Sequence, residues 1–160
     1  MNIQMNNNLD LSKKLARPTG HHTITPGFSV PGADNVLEFL RKAFGAEVVD
    51  RYDLPNGTLA HCEVRIGDSV VMFGEAMPDH GHAAMPASLS LYVDNGNGVD
   101  ATYKKALAAG ATSVMEPANQ FYGYRSATVR DPGGNKWTIC AVVEELTKAQ
   151  IEERMANAKH

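Results

Sequence analysis

The sequence is poor in cysteine, in aromatic residues and in net charge. Only Cys62 and Cys140 occur among 160 residues, too few for a disulfide framework. A packed core must therefore supply the stability, and a reducing cytoplasm is the expected compartment. Aromatics make up 7%, with Trp137 the one tryptophan. The formal charge is only −3, so no basic field invites nucleic acid or an anionic membrane. No apolar run approaches the ~20 residues of a membrane span. The Asn-rich start lacks the apolar segment of a secretory leader. Neither a phosphate-cradling glycine loop nor a nucleophile elbow occurs, so the glycines are left to serve turns and helix ends.

What the sequence does contain is a repeat. The run Ser29-Val30 … Val36 … Leu40 … Gly45-Ala46 … Gly67 … Met72 has a second version in Tyr92-Val93 … Val99 … Tyr103 … Gly110-Ala111 … Gly134 … Thr138. Val30 and Val93 stand 63 positions apart, Gly45 and Gly110 65, and Met72 and Thr138 66. Two slightly stretched copies of one supersecondary unit are the simplest explanation. Paired units of this size commonly face each other across a cleft.

The pattern along the chain predicts residues 1–20 as a polar tail, residues 21–146 as the folded domain and residues 147–160 as a C-terminal helix. Within the domain, repeat one spans about 22–76 and repeat two about 87–142. A strand is expected over 22–30, disturbed by Pro26-Gly27. A helix over 34–44 would start with Asp34 as N-cap and stop at Gly45. Strands at 47–53, 58–66 and 69–75 follow, joined at Asn56-Gly57 and Gly67-Asp68. The second unit repeats the order with a strand at 87–94, a helix at 98–109 and strands near 112–116, 124–131 and 135–142. Thr147-Lys148-Ala149-Gln150 is a capping box. The fold class is α+β: two βαβββ repeats forming a curled mixed sheet with helices outside, plus a C-terminal helix.

Alternation assigns the strand faces. Cys62, Val64 and Ile66 form an apolar set and His61, Glu63 and Arg65 a polar one. Leu89, Leu91 and Val93 turn toward a helix, leaving Ser88, Ser90 and Tyr92 opposite. Trp137 goes to the helix side and Thr138 and Cys140 to the other. A polar face opposite the helices is expected to line a cavity or meet a partner.

The doubled βαβββ order, the segment AFGAEVVDRYDLPNGTLAHCEVRIGDSVVMFGE and the run NQFYGYRSATVRDPGGNKWTI resemble the vicinal oxygen chelate superfamily, of glyoxalase, bleomycin-resistance and dioxygenase type. The PhnB-like group is the nearest in pattern. The resemblance covers about residues 22–146 and implies a homodimer with a pocket in each curled sheet. It also implies a divalent metal held by His or Glu on the first and last strands of each unit. Carried over by position, those places fall on Thr25, Met72, Ser88 and Thr138. Hydroxyls are weak neutral ligands and a thioether is soft, so none of the four suits Fe, Mn, Ni or Zn. The expectation is therefore no cofactor at these positions. A rebuilt metal site would have to recruit His21 or His22 together with His61 and Glu63.

Other candidates come from the residues themselves. His61 and Glu63 should share a strand face roughly 7 Å apart, where the carboxylate orients the imidazole as a general base or hydrogen-bond anchor; otherwise both are solvated polar residues. Phe121 and Tyr122 could stack on a flat ligand and Arg125 could grip an anion, or the aromatics could plug the core or a dimer seam. Tyr92 faces the same side as Ser88. Cys140 is expected to be a buried inert thiol; as a nucleophile it would need a base, which His61 could supply if the sheet curls tightly. Cys62 is structural. His80-Gly81-His82 lies in the connecting loop, and His160 ends the chain. The leading reading is a homodimeric protein that binds a small organic ligand without the usual catalytic metal. The alternative is a lyase, isomerase or dioxygenase with a displaced metal site or a metal-free His61/Glu63 mechanism.

Overall fold

The computed structural model describes residues 10, 12–14 and 16–158. Most of the expected N-terminal tail, and His160, lie outside them. The first unit contains β1 (Gly27–Val30), α1 (Ala33–Phe44), β2 (Glu47–Asp53), β3 (Leu59–Ile66) and β4 (Ser69–Glu75). The second contains β5 (Ser88–Tyr92), α2 (Gly96–Ala108), β6 (Thr112–Asn119), β7 (Tyr124–Arg130) and β8 (Lys136–Val142). A 3-10 turn at Pro78–His80 lies between them, and α3 (Lys148–Asn157) follows. The chain is thus an α+β protein built from two βαβββ units. Among the described residues none of the helices is long and apolar enough to cross a membrane.

The strands form two open four-stranded sheets, β1-β4-β3-β2 and β5-β8-β7-β6. β1 runs parallel to β4, and β5 to β8; the other pairs are antiparallel. The expected single curled sheet is therefore two separate ones within the chain. β1 is also shorter than expected. Pro26 has no N–H to give to a ladder, and its carbonyl instead accepts from Met72 N at 2.9 Å, just ahead of the first paired residue.

The helix ends explain how the units are pinned. Asp34 was the expected cap of α1, but the chain enters this helix two residues earlier, through Gly32 in the left-handed region at φ 70°. The free amides of Gly32 and Ala33 donate to the carboxylate of Glu75 at 2.8 and 2.7 Å. Asp34 pairs with Arg51 instead. A carboxylate from the end of β4 thus caps α1 and complements its positive end. α2 uses a local cap, Asn95, whose side chain accepts from Gly98 N. The Thr147–Gln150 capping box starts α3.

Both helices press on one side of their sheets. Val36, Leu37 and Leu40 of α1 and Val99, Tyr103 and Ala106 of α2 join the buried residues of the strands in one core cluster. This shared core joins the units, and two contacts across it show how closely they meet. The rings of Phe44 and Trp137 lie 5.1 Å apart, edge to face, and Gly133 leaves no room for a Cβ against Val36 and Val30.

The Asp131-Pro132-Gly133-Gly134-Asn135 turn owes its shape to one buried carboxylate. Asp131 accepts from the amides of Gly133 and Asn135, from the Asn135 side chain and from Trp137 Nε1, all within 3.0 Å. Asn135 then accepts from Ala87 N, ahead of β5. Four donors on one buried carboxylate make the turn rigid, because losing any of them leaves a polar group unsatisfied.

Candidate functional site: the open face of the first sheet

With the helices covering one face of each sheet, register decides what the other face presents. In the first sheet Tyr52 lies opposite His61, Asp50 opposite Glu63 and Glu63 opposite Met72. Gly27 and Ser29 of β1 continue these rows beside Met72 and Gly74. Tyr52, His61, Glu63 and Met72 therefore share one face, with small residues beside them.

The polar centre of this face is Glu63. His61 Nε2 lies 3.0 Å from Glu63 Oε1, and His21 Nε2 lies 3.0 Å from Oε2. The His21, Glu63 and His61 side chains are 9%, 16% and 41% exposed. A carboxylate only accepts, so both imidazoles donate from Nε2. That leaves the lone pair of a neutral ring on Nδ1. His21 reaches Glu63 because the segment before β1 crosses this face, with Gly20 set against Val70. The same crossing explains why Val70, on the helix-free face, is buried. His21 Nδ1 is buried without a hydrogen-bond partner among the described residues.

A cavity of about 360 Å³ opens beside this trio. Gly27, Ser29, Ala60 and Gly74 are the small residues around it; His61, Met72, Met77, His82 and Met85 line it too, with Phe28, Phe73 and Glu75. The connecting loop closes one side. Met77 and His82 pair across the loop, and Met85 pairs with Ser29 at the free edge of β1. Sequence reasoning singled out His61 and Met72 but missed Met77 and Met85 and gave His82 no site. The signal was their density: three methionines and two histidines within the fourteen residues from Met72 to Met85.

A larger cleft of about 810 Å³ lies on the helix side, between the end of α1, β5 and α2. Phe44, Leu89, Leu91 and Trp137 line it, with Arg41 and Lys105 also at its wall. It brings together no paired acid and base and includes only Tyr92 of the candidate residues, so size alone does not make it the site.

The second sheet shows a different surface. Ser90 pairs with Thr138, Tyr92 with Cys140, Ser126 with Cys140 and Thr128 with Thr138. This face is hydroxyl-rich and carries no ionised pair at its centre. Ser126 Oγ is buried without a partner among the described residues. Tyr92, Tyr124, Tyr122 and Phe121 form a chain of ring contacts at one end, with centroids 5.2 to 6.3 Å apart. Phe121 and Tyr122 are each 38% exposed, so neither plugs the core. Ser88 sits opposite Lys136, two pairs away from the Ser90–Thr138 pair.

Arg125 and the two cysteines lie away from the cavity beside His61. Arg125 pairs with Ala141 on the helix side of β7 and binds Asp100 of α2 through two 2.7 Å hydrogen bonds. It is a clamp between helix and sheet and does not face the pocket. This interaction holds the Asp100 carboxyl below its ordinary pKa. His61 gives its Nε2 to Glu63, whereas the Cys140 thiol donates to Leu91 O at 3.7 Å, and burial raises its pKa, partly offset by Tyr92. Cys62 is pushed up to about 11, chiefly by burial. Both thiols are thus protonated near neutral pH, the unreactive form.

The four positions carried over for a divalent metal do not assemble one. Thr25 Oγ1 donates to His22 O at 3.3 Å. Thr138 Oγ1 lies 3.3 Å from Thr128 Oγ1 on the other sheet. Met72 offers only a thioether, and Ser88 is exposed. This donor set does not fit Fe, Mn, Ni or Zn. Among the described residues no three of His, Cys, Asp and Glu are grouped to hold such an ion; His21, Glu63 and His61 meet as hydrogen-bond partners.

A family model described as the Glyoxalase/Bleomycin resistance protein/Dioxygenase superfamily matches residues 20–139. An uncharacterised protein of Mycobacterium tuberculosis H37Rv is 32% identical over 143 residues, covering 84% of this chain and 82% of that protein. A glyoxalase-related enzyme from Fulvimarina pelagi superposes with a TM-score of 0.62 at 16% identity, over 79% of this chain and 96% of that one. The PhnB protein of Bacillus cereus gives 0.60 at 19% identity, over 74% and 98%. At those identities the two solved structures bear on the fold alone. With its two βαβββ units and a family match over most of its length, this chain belongs to the Glyoxalase/Bleomycin resistance protein/Dioxygenase superfamily.

Proposed function

We propose that the protein binds a small organic ligand on the open face of its first sheet, without the divalent metal of its catalytic relatives. The observation that carries this reading is the cavity beside His61. It combines an imidazole held by Glu63 with three methionine side chains and a floor of small residues. Unbranched thioether side chains adapt to irregular apolar shapes, and a few fixed polar groups set orientation. The second sheet adds hydroxyls and exposed aromatics once a second copy closes the site. Two open sheets and exposed Val48, Val49, Tyr52 and Tyr92 on their strands support a homodimer in which copies cover each other's faces.

Thermal-shift screening with a small-molecule panel tests this reading. A ligand at 100 times its Kd stabilises the native state by about 2.7 kcal/mol. Hits should stabilise the wild type and lose most of the shift in His61→Ala. A panel whose hits shift both proteins equally removes the His61 cavity from the function. Sedimentation velocity should return a dimer; a monomer at working concentration rejects the second-copy part alone.

A second reading has its own support. Glu63 accepts an N–H hydrogen bond from each of two imidazoles, so a bound ligand would meet the unprotonated Nδ1 of His61 as a free base. That arrangement serves proton abstraction from an acidic C–H or O–H. Solvent-deuterium exchange into a bound hit, lost in His61→Ala and slowed in Glu63→Gln, is its signature.

A further inference from the structure

The same cavity collects donors that binding of an organic ligand does not require. Met72, Met77 and Met85 are three of the seven methionines of the chain, and all three line it beside His61 and His82. Their place around one cavity follows from the fold. Met72 is fixed by β4, opposite Glu63 and beside Gly27. Met85 is hydrogen-bonded to Ser29 at the edge of the same sheet, with Met85 N to Ser29 O at 2.7 Å. Met77 and His82 pair across the loop, with Met77 N to His82 O at 2.7 Å. Residues directly opposite in an antiparallel pair project side by side on one face. All five residues are therefore placed by backbone pairing, His61 on β3 opposite Tyr52.

Donor chemistry then selects the ion. Thioether sulfur is soft and neutral, and with imidazole it favours Cu(I) over Zn(II), Mn(II) or Mg(II). Aspartate and cysteine are absent from the cavity wall, and Glu75, which lines it, is already engaged with the amides of Gly32 and Ala33. The imidazole is also prepared. A metal-ligating histidine usually gives its second N–H to a carboxylate. His61 does so through Nε2 to Glu63 at 3.0 Å, which leaves Nδ1 as the ligating atom. We infer that this cavity is a binding site for a soft monovalent metal ion, Cu(I), held by methionine sulfur and the His61 imidazole. This inference does not rest on the organic-ligand reading; it uses the same walls for a different occupant.

Cuprous ion itself is the probe. Under anaerobic conditions the protein competes with bicinchoninate for Cu(I), followed by loss of the chelator's colour. The wild type should withdraw about one equivalent, and so should Cys62→Ala/Cys140→Ala, which excludes the thiols. Met72→Leu/Met77→Leu/Met85→Leu keeps volume and apolarity and should bind at least tenfold more weakly. His61→Ala should weaken binding while leaving melting in the absence of metal near that of the wild type. Excess Zn(II) should not displace the copper. The inference is overturned if the triple leucine variant, folded by circular dichroism, binds like the wild type. It is equally overturned if the cysteine variant loses the site or Zn(II) displaces the copper. A leucine variant that fails to fold is replaced by Met77→Leu/Met85→Leu, whose two positions lie outside the strands, and the same tenfold criterion applies. An organic hit that shifts the wild type and not His61→Ala leaves the ligand reading standing when copper binding fails.

Discussion

The two βαβββ units have the same strand order and opposite chemistry on their open faces. In the first, ionisable and sulfur-bearing side chains gather around Glu63. In the second, hydroxyls and tyrosines occupy the matching rows. The helix sides of both are alike: apolar residues meeting in one core. The difference teaches that one scaffold can be held constant by the face that packs, while the face that does not pack is free to diverge. The caps diverge as well. Glu75 reaches across from β4 to start α1, whereas Asn95 starts α2 locally.

The largest break in this comparison should come from the turn that serves both units. Asp131→Ala leaves two buried amides, the Asn135 side chain and Trp137 Nε1 without an acceptor. We expect a loss on the order of 3 kcal/mol. Because Gly133 packs on Val30 and Val36 of the first unit, urea unfolding should remain a single transition. Separate transitions for the two units would show that they are less coupled than their shared core implies.

Glu75→Ala tests the asymmetry of the caps. It should cost about 1 kcal/mol, the usual loss for an N-cap acceptor. Asn95→Ala should cost a similar or smaller amount in the second unit, measured on the same denaturation curves. The open faces are separated next. Thermal-shift hits should vanish with His61→Ala and persist with Ser126→Ala, because the proposed anchor lies on the first sheet. Persistence in the first variant and loss in the second would move the site to the hydroxyl face.

Smaller effects should follow from the thiols and the Arg125 clamp. Cys62 and Cys140 should react slowly with an aromatic disulfide at pH 8 and fast in urea, since burial raises both pKa values. Asp100, held low by Arg125, has a depressed folded pKa. Its contribution is present above the unfolded value of about 3.9 and disappears as the pH falls through the folded one. The stability gap between wild type and Asp100→Asn should therefore be small at pH 7 and close below pH 4, as followed by melting temperature. A pH-independent gap would mean that the clamp acts by packing.

Much of this was legible along the chain, and the reasons are local. The NG and GD turns, Gly45, the Thr147 capping box and the alternation of Cys62, Val64 and Ile66 each depend on a few neighbouring residues. Asp34 misled because its true rival, Glu75, is remote in sequence. Arg125 misled because strand alternation does not announce which face of β7 meets α2, or that Asp100 waits there. His21 and His61 were each visible, but their common partner required the segment before β1 to cross the sheet.

The sequence by itself determined the doubled unit, its helix stops, its turns and the two faces of most strands, because periodicity and turn chemistry act over short spans. Only the tertiary structure decided that the sheets stay separate in one chain, that Glu75 caps α1 and that Glu63 joins two histidines. It also decided that methionines from β4 and the connecting loop reach one cavity. Those outcomes depend on strand register and on contacts between distant residues, which no local pattern records.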